Sequence, residues 1–556
     1  MFKEELLKEI ERLNSEYETN VKEILKRFSI EEEKLKTMSG LPLKPVYTPL
    51  DIKNDDFLKD ISFPGLYPYT RGITPLGYRT KDWTVRQVVG LGTAEETNER
   101  LKYLFNQGQT GFSVCGMGYQ PYESSDERTF GMLGRGGVWI DTLADIETLF
   151  DGIDMSKISI NQIGFSIPVF AMIITEAKRK DTDLKTLSGT IQNIVFPLGE
   201  GFEIKGNGSV DIIEYCAKNL PKWNHTSISV RNNRDEGISA PYEIAFGIYL
   251  GAFTLQSVMS RGLDVDQIAP RISFFLSSEN DFLEEVAKFR AIRRLWARTV
   301  KERFKAKNPR SWLMRFHVQT TALNLTAQQP LNNIIRSTIH ALAAVLGGAQ
   351  SMSVNSFDEA LAVPTKASAT LSLRTQQIIA LESGASNVLD PLGGSYCIES
   401  LTDQLEERAI EILNEMEAIP PHKIYQYIKD KGNDACYDRQ KAIDNNEMPV
   451  VGVNRFNMEE EIGGVDQWSV DLLKYDSTWR EKQIKRLNRV KQERDPQKAE
   501  KAKKILEDAY REKVNIIEPM MEAVQAYLSI GEIVKVREKV YGPANLDHIM
   551  GCFFGM

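Results

Sequence analysis

Apolar side chains fall at Phe2, Leu6, Ile10, Leu13, Tyr17, Val21, Ile24 and Phe28, in steps of three or four residues. That spacing predicts an amphipathic helix over residues 2–28. Its stripe either docks on the protein's own core or meets a partner subunit. From Gly40 to Trp83 the periodicity stops, and proline, glycine and tyrosine accumulate, as in "FPGLYPYTRGITPLGYRTKDW". This predicts an extended arm. An irregular segment of that length inside a compact protein usually serves function. Beyond it, short strand-like segments recur: "FSVC", "ISIN", "TIQN", "SISV", "RISFF", "MRFHVQT", "SMSVNS" and "NVLD". Helical periodicity fills the gaps between them. Alternating strands and helices predict a parallel sheet, and eight such units predict a closed (β/α)8 TIM barrel in the α/β class. After about residue 400 the alternation gives way to a helical extension, with a break at Asp495-Pro496. The reading divides the chain into a helix (1–37), an arm leading into the barrel (38–110), the barrel (111–400) and the extension (401–556).

The parity within these strands is unusual. One set of alternate positions holds Ser113, Cys115, Ser159, Asn161, Thr190, Gln192, Ser227, Ser229, Arg271, Ser273, Arg315, His317, Gln319, Ser351, Ser353 and Asn355. The other holds Val114, Ile158, Ile160, Ile191, Ile228, Ile272, Phe274, Met314, Phe316, Val318, Met352 and Val354. In a closed barrel one set faces the helices and the other faces the axis. The apolar set must face the helices, so the axis is lined by small polar groups. Ordinary barrels of this kind fill the axis with Val, Ile and Leu. Small polar groups cannot fill it, and burying them without partners costs free energy. An elongated polar ligand along the axis resolves this; a row of ordered waters is the alternative.

Charge and cysteine content narrow the field. The net charge of −8 gives no basic excess for neutralising a nucleic-acid backbone. Five cysteines, spread from Cys115 to Cys552 without a CxxC pair, suggest neither a zinc site nor a disulfide framework. No metal site is expected. The charged N-terminus does not read as a signal peptide, and no apolar run is long enough for a membrane span. The expected location is the cytoplasm.

The strings "YPYTRG", "WTVRQVVGLGTAEETN", "GQTGFSV", "LSGTIQN", "PKWN", "APRISFF", "NNIIRSTIHALAAVLGGAQS", "NSFDEALAVPT" and "ESGASNVLDPLGGSY" carry a resemblance. From about residue 38 onward the chain resembles the large, substrate-binding part of the adenosylcobalamin-dependent acyl-CoA mutases, which act on methylmalonyl-CoA, isobutyryl-CoA or 2-hydroxyisobutyryl-CoA. The resemblance implies that the pantetheine arm of coenzyme A threads the axis. It implies coenzyme A contacts at Arg71, Ser113, Arg271, Ser273, His317, Gln319 and Gln350. It implies that Tyr78 wedges between substrate and the cobalt–carbon bond, that Gln192 belongs to the catalytic group, and that Asn355, Glu359 and the adjacent Ala360 hold the adenosyl ribose. A radical rearrangement of the thioester group would follow. His317 could equally be a satisfied core histidine, and Glu359, three residues after Ser356, a helix N-terminal charge.

The departures are equally specific. The cobalamin-binding string DxHxxG does not occur; "DHIMG" at Asp547–Gly551 has the wrong spacing. Cobalamin is therefore expected on a separate small subunit, with a GTPase chaperone as a further possible partner. The family's "SGYHMQEAG" after the fourth strand is replaced by "SVRNNRDEG", which puts Arg231 at the tyrosine, Asn232 at the histidine and Arg234 at the glutamine. His225 precedes its strand and lies at the wrong end of the barrel to substitute. "QPYESSDER", "NQIGFS" and "IVFPLGEGFEIKGNG" also differ from the family's loops, and the last lacks the arginine that meets a free carboxylate. Loops at this face set substrate choice. The expectation is a mutase large subunit with a substrate other than methylmalonyl-CoA, in which Asn232 bonds the acyl carbonyl and Arg231 or Arg234 meets a polar or anionic group. Arg234, Asp235 and Glu236 otherwise read as a surface loop. Two alternatives stay open: a non-catalytic mutase-like scaffold, and a coenzyme A-binding barrel with non-radical chemistry.

Overall fold

The structure, a computed structural model, describes residues 2–28, 35–115, 122–131, 133–134, 136–164, 166–195, 208–458 and 470–543. Its strands are β1 (Thr84–Arg86), β2 (Val88–Val89), β3 (Gly111–Cys115), β4 (Ser159–Ile163), β5 (Ser188–Ile191), β6 (Trp223–Asn224), β7 (Thr226–Ser229), β8 (Ile272–Ser278), β9 (Arg315–Thr320) and β10 (Ser351–Ser353). They form two parallel five-stranded sheets, in the orders β1-β10-β9-β8-β7 and β2-β3-β4-β5-β6. The segment 84–89 supplies β1 to one sheet and β2 to the other; the segment 223–229 does the same with β6 and β7. The sheets therefore share both of their edge segments.

Seven of the eight predicted strands are present. The eighth is not "NVLD": residues 387–390 are turns, Val388 is exposed, and the Asp390 carboxylate accepts from Arg71 and Arg290. The missing strand lies earlier, in "TVRQVV", which the sequence reading assigned to the arm. The β-branched run is short, and Gln87 divides it between two sheets.

Helices alternate with the strands: α1 (Glu4–Phe28) precedes them, then come α2 (Ala94–Asn106), α3 (Leu143–Leu149), α4 (Ile167–Arg179), α5 (Gly208–Asn219), α6 (Arg231–Asp235), α7 (Ala240–Met259), α8 (Val265–Ile268), α9 (Phe282–Arg298), α10 (Asn332–Leu346) and α11 (Lys366–Leu381). The apolar parity packs under them: Val114, Ile160, Ile191, Ile228, Ile272, Phe274, Met314, Phe316, Val318, Met352 and Val354 all belong to one core. At roughly 25 cal/mol per Å² of apolar surface, this layer is the main driving force for the fold.

The extension consists of α12 (Tyr396–Glu417), α13 (Ile424–Asp444), α14 (Thr478–Glu493), α15 (Pro496–Glu512), α16 (Ile517–Gln525) and α17 (Ile530–Tyr541). Pro496 opens α15, and Asp495 caps it by accepting from the backbone N–H groups of Gln497 and Lys498. Packing of α12 on α7 and α9 explains how so charged a helix as α9 can be buried. Arg290 donates to both oxygens of Glu399 at 2.6 Å, and Arg294 pairs with Asp403 and Glu406. The arm is pinned to the same region, because Arg293 donates to the carbonyls of Tyr69 and Thr70. In contrast, α1 buries none of its residues. Its own-core docking, one of the two readings of its stripe, is limited here to partial contacts such as the edge-on packing of Phe2 on Tyr396.

Candidate functional site

The polar parity meets across the interior. Asn161 donates to the Ser113 hydroxyl at 3.0 Å and Asn224 to that of Thr190 at 3.1 Å. His317 Nδ1 bonds Ser351 at 2.9 Å, and Gln319 donates to Asn355 at 2.7 Å. Ser273 donates to the Thr226 carbonyl. Arg86 ties the two sheets together: its Nε donates to Ser351 on β10, while its other nitrogens reach the Ser159 carbonyl and hydroxyl on β4. The polar faces of both sheets therefore look at one another. Burial lowers the Arg86 pKa to about 10. Arg86 is absent from the sequence-based set; its signal is a polar residue next to Val85 in a short β-branched run, a segment that reads as part of the arm.

These contacts leave atoms over. Among the described residues, His317 Nε2, Ser353 Oγ, Asn224 Oδ1 and Asn355 Nδ2 are buried without a hydrogen-bond partner. Leaving a buried polar group unpaired costs about 1–3 kcal/mol, so four on one axis mark a place where something else bonds. Burial, with Arg86 and Arg231 nearby, drives the His317 pKa well below its usual value. The ring is thus neutral, able to donate or accept at Nε2.

At the N-terminal ends of the strands lies a 290 Å³ cavity. Arg271, Arg310 and Arg315 line it with His225 and Asn308, and among the described residues no carboxylate does. Burial and the two neighbouring arginines lower the Arg315 pKa to about 10. Uncompensated arginines around a cavity suit a multiply charged anion. His225 sits here, as the sequence implied, neutral and bonded to Thr226 and Ile268. A second cavity at the same end, of 230 Å³, is lined by Arg71, Tyr78, Arg293, Gln350 and Asp390. Gln350 is occupied there: it accepts from the Phe316 N–H and donates to Gly348. Arg71 pairs with Asp390 at 2.9 Å.

Tyr78 belongs to this end. Its hydroxyl donates to the Ala349 carbonyl at 2.6 Å, just before β10. Asn355 and Glu359 follow the other end of that strand, and a strand advances about 3.3 Å per residue. The structure therefore does not bring Tyr78 to the ribose-binding pair, which corrects its expected position at a cobalt–carbon bond.

The C-terminal end gathers Gln192, Arg231, Asn232, Asn355 and Glu359. Gln192 accepts from the Gly164 N–H. Arg231 and Asn232 open α6; Arg231 pairs with Asp235 at 2.7 Å and reaches the Asn232 side chain at 3.3 Å. Thr321 also donates to Asp235. Asn232 is exposed toward this end. "NSFDEA" forms turns rather than a helix start, so Glu359 is not a helix N-terminal charge, and Ala360 beside it is exposed. Burial raises the Glu359 pKa to about 7, against the pull of Arg231.

Arg234 is a correction. It is buried, with its nitrogens 2.9 Å from Glu279 and 3.1 Å from Glu285, and it donates to the Ile238 carbonyl. It anchors α6 instead of meeting a substrate, and its neighbours 235 and 236 are only half-buried. One turn of helix carries it inward while Arg231 and Asn232 stay at the rim. "QPYESSDER", "NQIGFS" and "IVFPLGEGFEIKGNG" lie wholly or partly outside the described residues.

The sequence profile described as methylmalonyl-CoA mutase matches residues 36–543. The chain belongs to the methylmalonyl-CoA mutase family. Among its relatives, the 2-hydroxyisobutanoyl-CoA mutase large subunit of Aquincola tertiaricarbonis is 40% identical over 543 residues, covering 93% of this chain and 94% of that one. Methylmalonyl-CoA mutase of Bos taurus is 37% identical over 562 residues, covering 98% of this chain and 73% of its own. The Rhizobium meliloti methylmalonyl-CoA mutase is 36% identical over 533 residues, 91% of this chain and 72% of that one. Among the described residues no group of three or more His, Cys, Asp or Glu is arranged to hold a metal ion, and no helix is long and apolar enough to cross a membrane.

Proposed function

We propose that this chain is the large subunit of an adenosylcobalamin-dependent acyl-CoA mutase, and that its two sheets are the halves of one closed (β/α)8 barrel. The shared segments 84–89 and 223–229 support closure. The observation that carries the reading is the axis: a polar lining with unpartnered atoms, ending in an arginine cavity at one end and in Asn232, Asn355 and Glu359 at the other. A coenzyme A thioester has this order of chemistry. Its phosphates suit Arg271, Arg310 and Arg315; its amide-bearing pantetheine arm suits Ser113, Ser273, His317 and Gln319; its acyl group then emerges beside Gln192, Arg231 and Asn232. Arg71, at the cavity next to the arm, is a further candidate for the nucleotide portion.

The residues fit an adenosyl ribose. Asn355 Nδ2 is a buried donor with no partner among the described residues, and the Glu359 carboxylate can accept from two hydroxyls. When bound, adenosylcobalamin supplies radical hydrogen abstraction; this chain binds, orients and shields the substrate. A separate small subunit carries the cobalamin, and a GTPase chaperone loading it remains part of the reading. Asn232 donates to the thioester carbonyl. Because Asp235 already balances Arg231, the rim favours a neutral or hydroxylated acyl group over a free carboxylate. The exposed Asn232 in place of a histidine favours the second reading, a non-catalytic scaffold; the aligned axis and the Asn355–Glu359 pair weigh against it.

The test is reconstitution with a cobalamin-binding small subunit, adenosylcobalamin and a panel of acyl-CoA esters. Chromatography should detect an isomerised ester from the neutral or hydroxyacyl substrates, with a cobalt-coupled radical signal in electron paramagnetic resonance. Neither product nor signal across the panel would favour the scaffold.

A further inference from the structure

The rim helix α6 is too short to hold itself. An isolated helix needs about 12–15 residues before it is even marginally stable in water, and α6 has five. Its place is therefore set by what grips it. On one side α13 packs against it. The Cys436 thiol donates to the Glu236 carbonyl at 3.2 Å, and Gly237 comes so close that an added Cβ would lie 2.9 Å from the Gly432 carbonyl oxygen. On its inner side the grip is Arg234. Arg234 follows Arg231 by about one helical turn, so a shift of one carries the other.

Arg234 enters a buried cluster at the C-terminal end of β8. Glu279 follows that strand, Glu243 stands in the first turn of α7, and Glu284 and Glu285 stand in the first turn of α9. All four are buried, and the buried cations beside them, among the described residues, are Arg234 and Lys288. Half-buried Asp281, ahead of α9, and Arg439, on α13, complete the surroundings. Four carboxyls beside two cations cannot all ionise without a large cost, because like charges out of water disfavour one another. The bonding shows which carboxyl is left over. Glu243 accepts from Lys288 at 2.7 Å and from the Ser277 N–H at 2.8 Å. Glu284 accepts from the hydroxyl and the N–H of Ser39 in the arm. Glu285 pairs with Lys288 at 2.5 Å and with Arg234 at 3.1 Å. Glu279 has one ion-pair partner among the described residues, Arg234 Nε at 2.9 Å. Burial raises the Glu279 pKa to about 7 against the pull of Arg234, with Glu285 adding to the rise and Arg439 and Lys288 opposing it.

We infer that Glu279 is a positioning residue for the acyl end of the site: its carboxylate seats Arg234, and through α6 it holds Arg231 and Asn232 against the acyl group, whereas its protonated form lets α6 loosen. The inference rests on the acyl-CoA reading, which puts α6 beside the acyl group. It adds that the fit of that group depends on pH near neutrality, while the fit of the CoA portion does not pass through this cluster. Glu279 lies behind α6, bonded to Arg234 and not to the axis, so it acts only through the helix.

Titration calorimetry on the full chain tests it, with isobutyryl-CoA and with desulfo-CoA, which lacks both acyl group and thiol, at pH 6 and pH 8. The ratio of the two affinities cancels the ionisation of the phosphates that both ligands share. In wild type the ratio should rise about three-fold or more toward pH 8, as the carboxyl loses its proton. Glu279→Gln is neutral at both pH values and should hold the ratio at its pH 6 value. It should also melt as wild type does at pH 6, where the native carboxyl carries its proton. Glu279→Asp keeps a titrating carboxyl and should retain a rise. A flat ratio in wild type would overturn the inference. So would a rise that survives Glu279→Gln, or one that disappears in Glu359→Gln instead. Binding of neither ligand at either pH would overturn the acyl-CoA reading itself, and this inference with it.

Discussion

Glu359 shows how much one position decides. Its carboxyl is pushed to about pH 7 by burial, with Asp235 and Asp358 adding to the shift and Arg231 opposing it. The ionised form is the one that accepts hydroxyl hydrogens. Cofactor affinity of the reconstituted enzyme should therefore rise between pH 6 and 8, and Glu359→Gln should flatten that rise; an unchanged slope in the variant would separate Glu359 from the cofactor. The N-terminal arginines act on a different quantity. Charge-assisted hydrogen bonds contribute about 1.5–3 kcal/mol. Arg315→Ala should raise KM for the CoA ester about ten- to a hundred-fold, with kcat nearly unchanged because the contact is as strong in the ground state as in the transition state. Arg234→Gln should behave otherwise, lowering thermal stability together with activity, since it takes the guanidinium from buried Glu279 and leaves Glu285 with Lys288 alone.

At the scale of elements, the strand parity was legible because burial on one face writes an alternating pattern directly into sequence. Seven strands could be read that way. The segment 84–89 could not, since each of its pieces is only two or three residues long and the parity resets at Gln87. α6 was hidden for a similar reason: a five-residue helix has no period to read, so Arg234–Glu236 read as a surface loop or, at Arg234, as a substrate contact. The pairing of α14 with α2 and α3 was not legible at all. Gln483 donates one amide to Asp141 and Asp145, both buried and 2.9 Å away. Burial and the nearby Asp141 carboxylate raise the Asp145 pKa to about 7, and the Gln483 amide works against that rise. A carboxyl raised in the folded state favours folding at acid pH, and that advantage fades as pH climbs toward 7. Gln483→Leu removes the amide that supports the charged form. It should cost about 1–3 kcal/mol at pH 8 and clearly less at pH 5, as read from urea unfolding at the two pH values. An equal cost at both would show that the Asp145 carboxyl does not titrate across this range.

For the molecule as a whole, the resemblance carried by strings such as "NNIIRSTIHALAAVLGGAQS" led to the family, while the physical reason for the polar axis came from the parity alone. The two agree: a family whose named members are CoA-ester mutases, and two parallel sheets whose facing sides carry small polar groups. Tyr78 marks the limit of motif transfer, because a string fixes which residue is present but not at which end of the strands the arm places it. The account's central claim is that the axis takes up a CoA thioester. Ser229 faces that axis, is half-buried, and ends β7 next to the rim. Titration calorimetry of an acyl-CoA ester into wild type and into Ser229→Leu, with melting curves for both, tests the claim most directly. The account predicts binding to wild type and at least a ten-fold loss in a variant that melts normally; equal binding by both would contradict it.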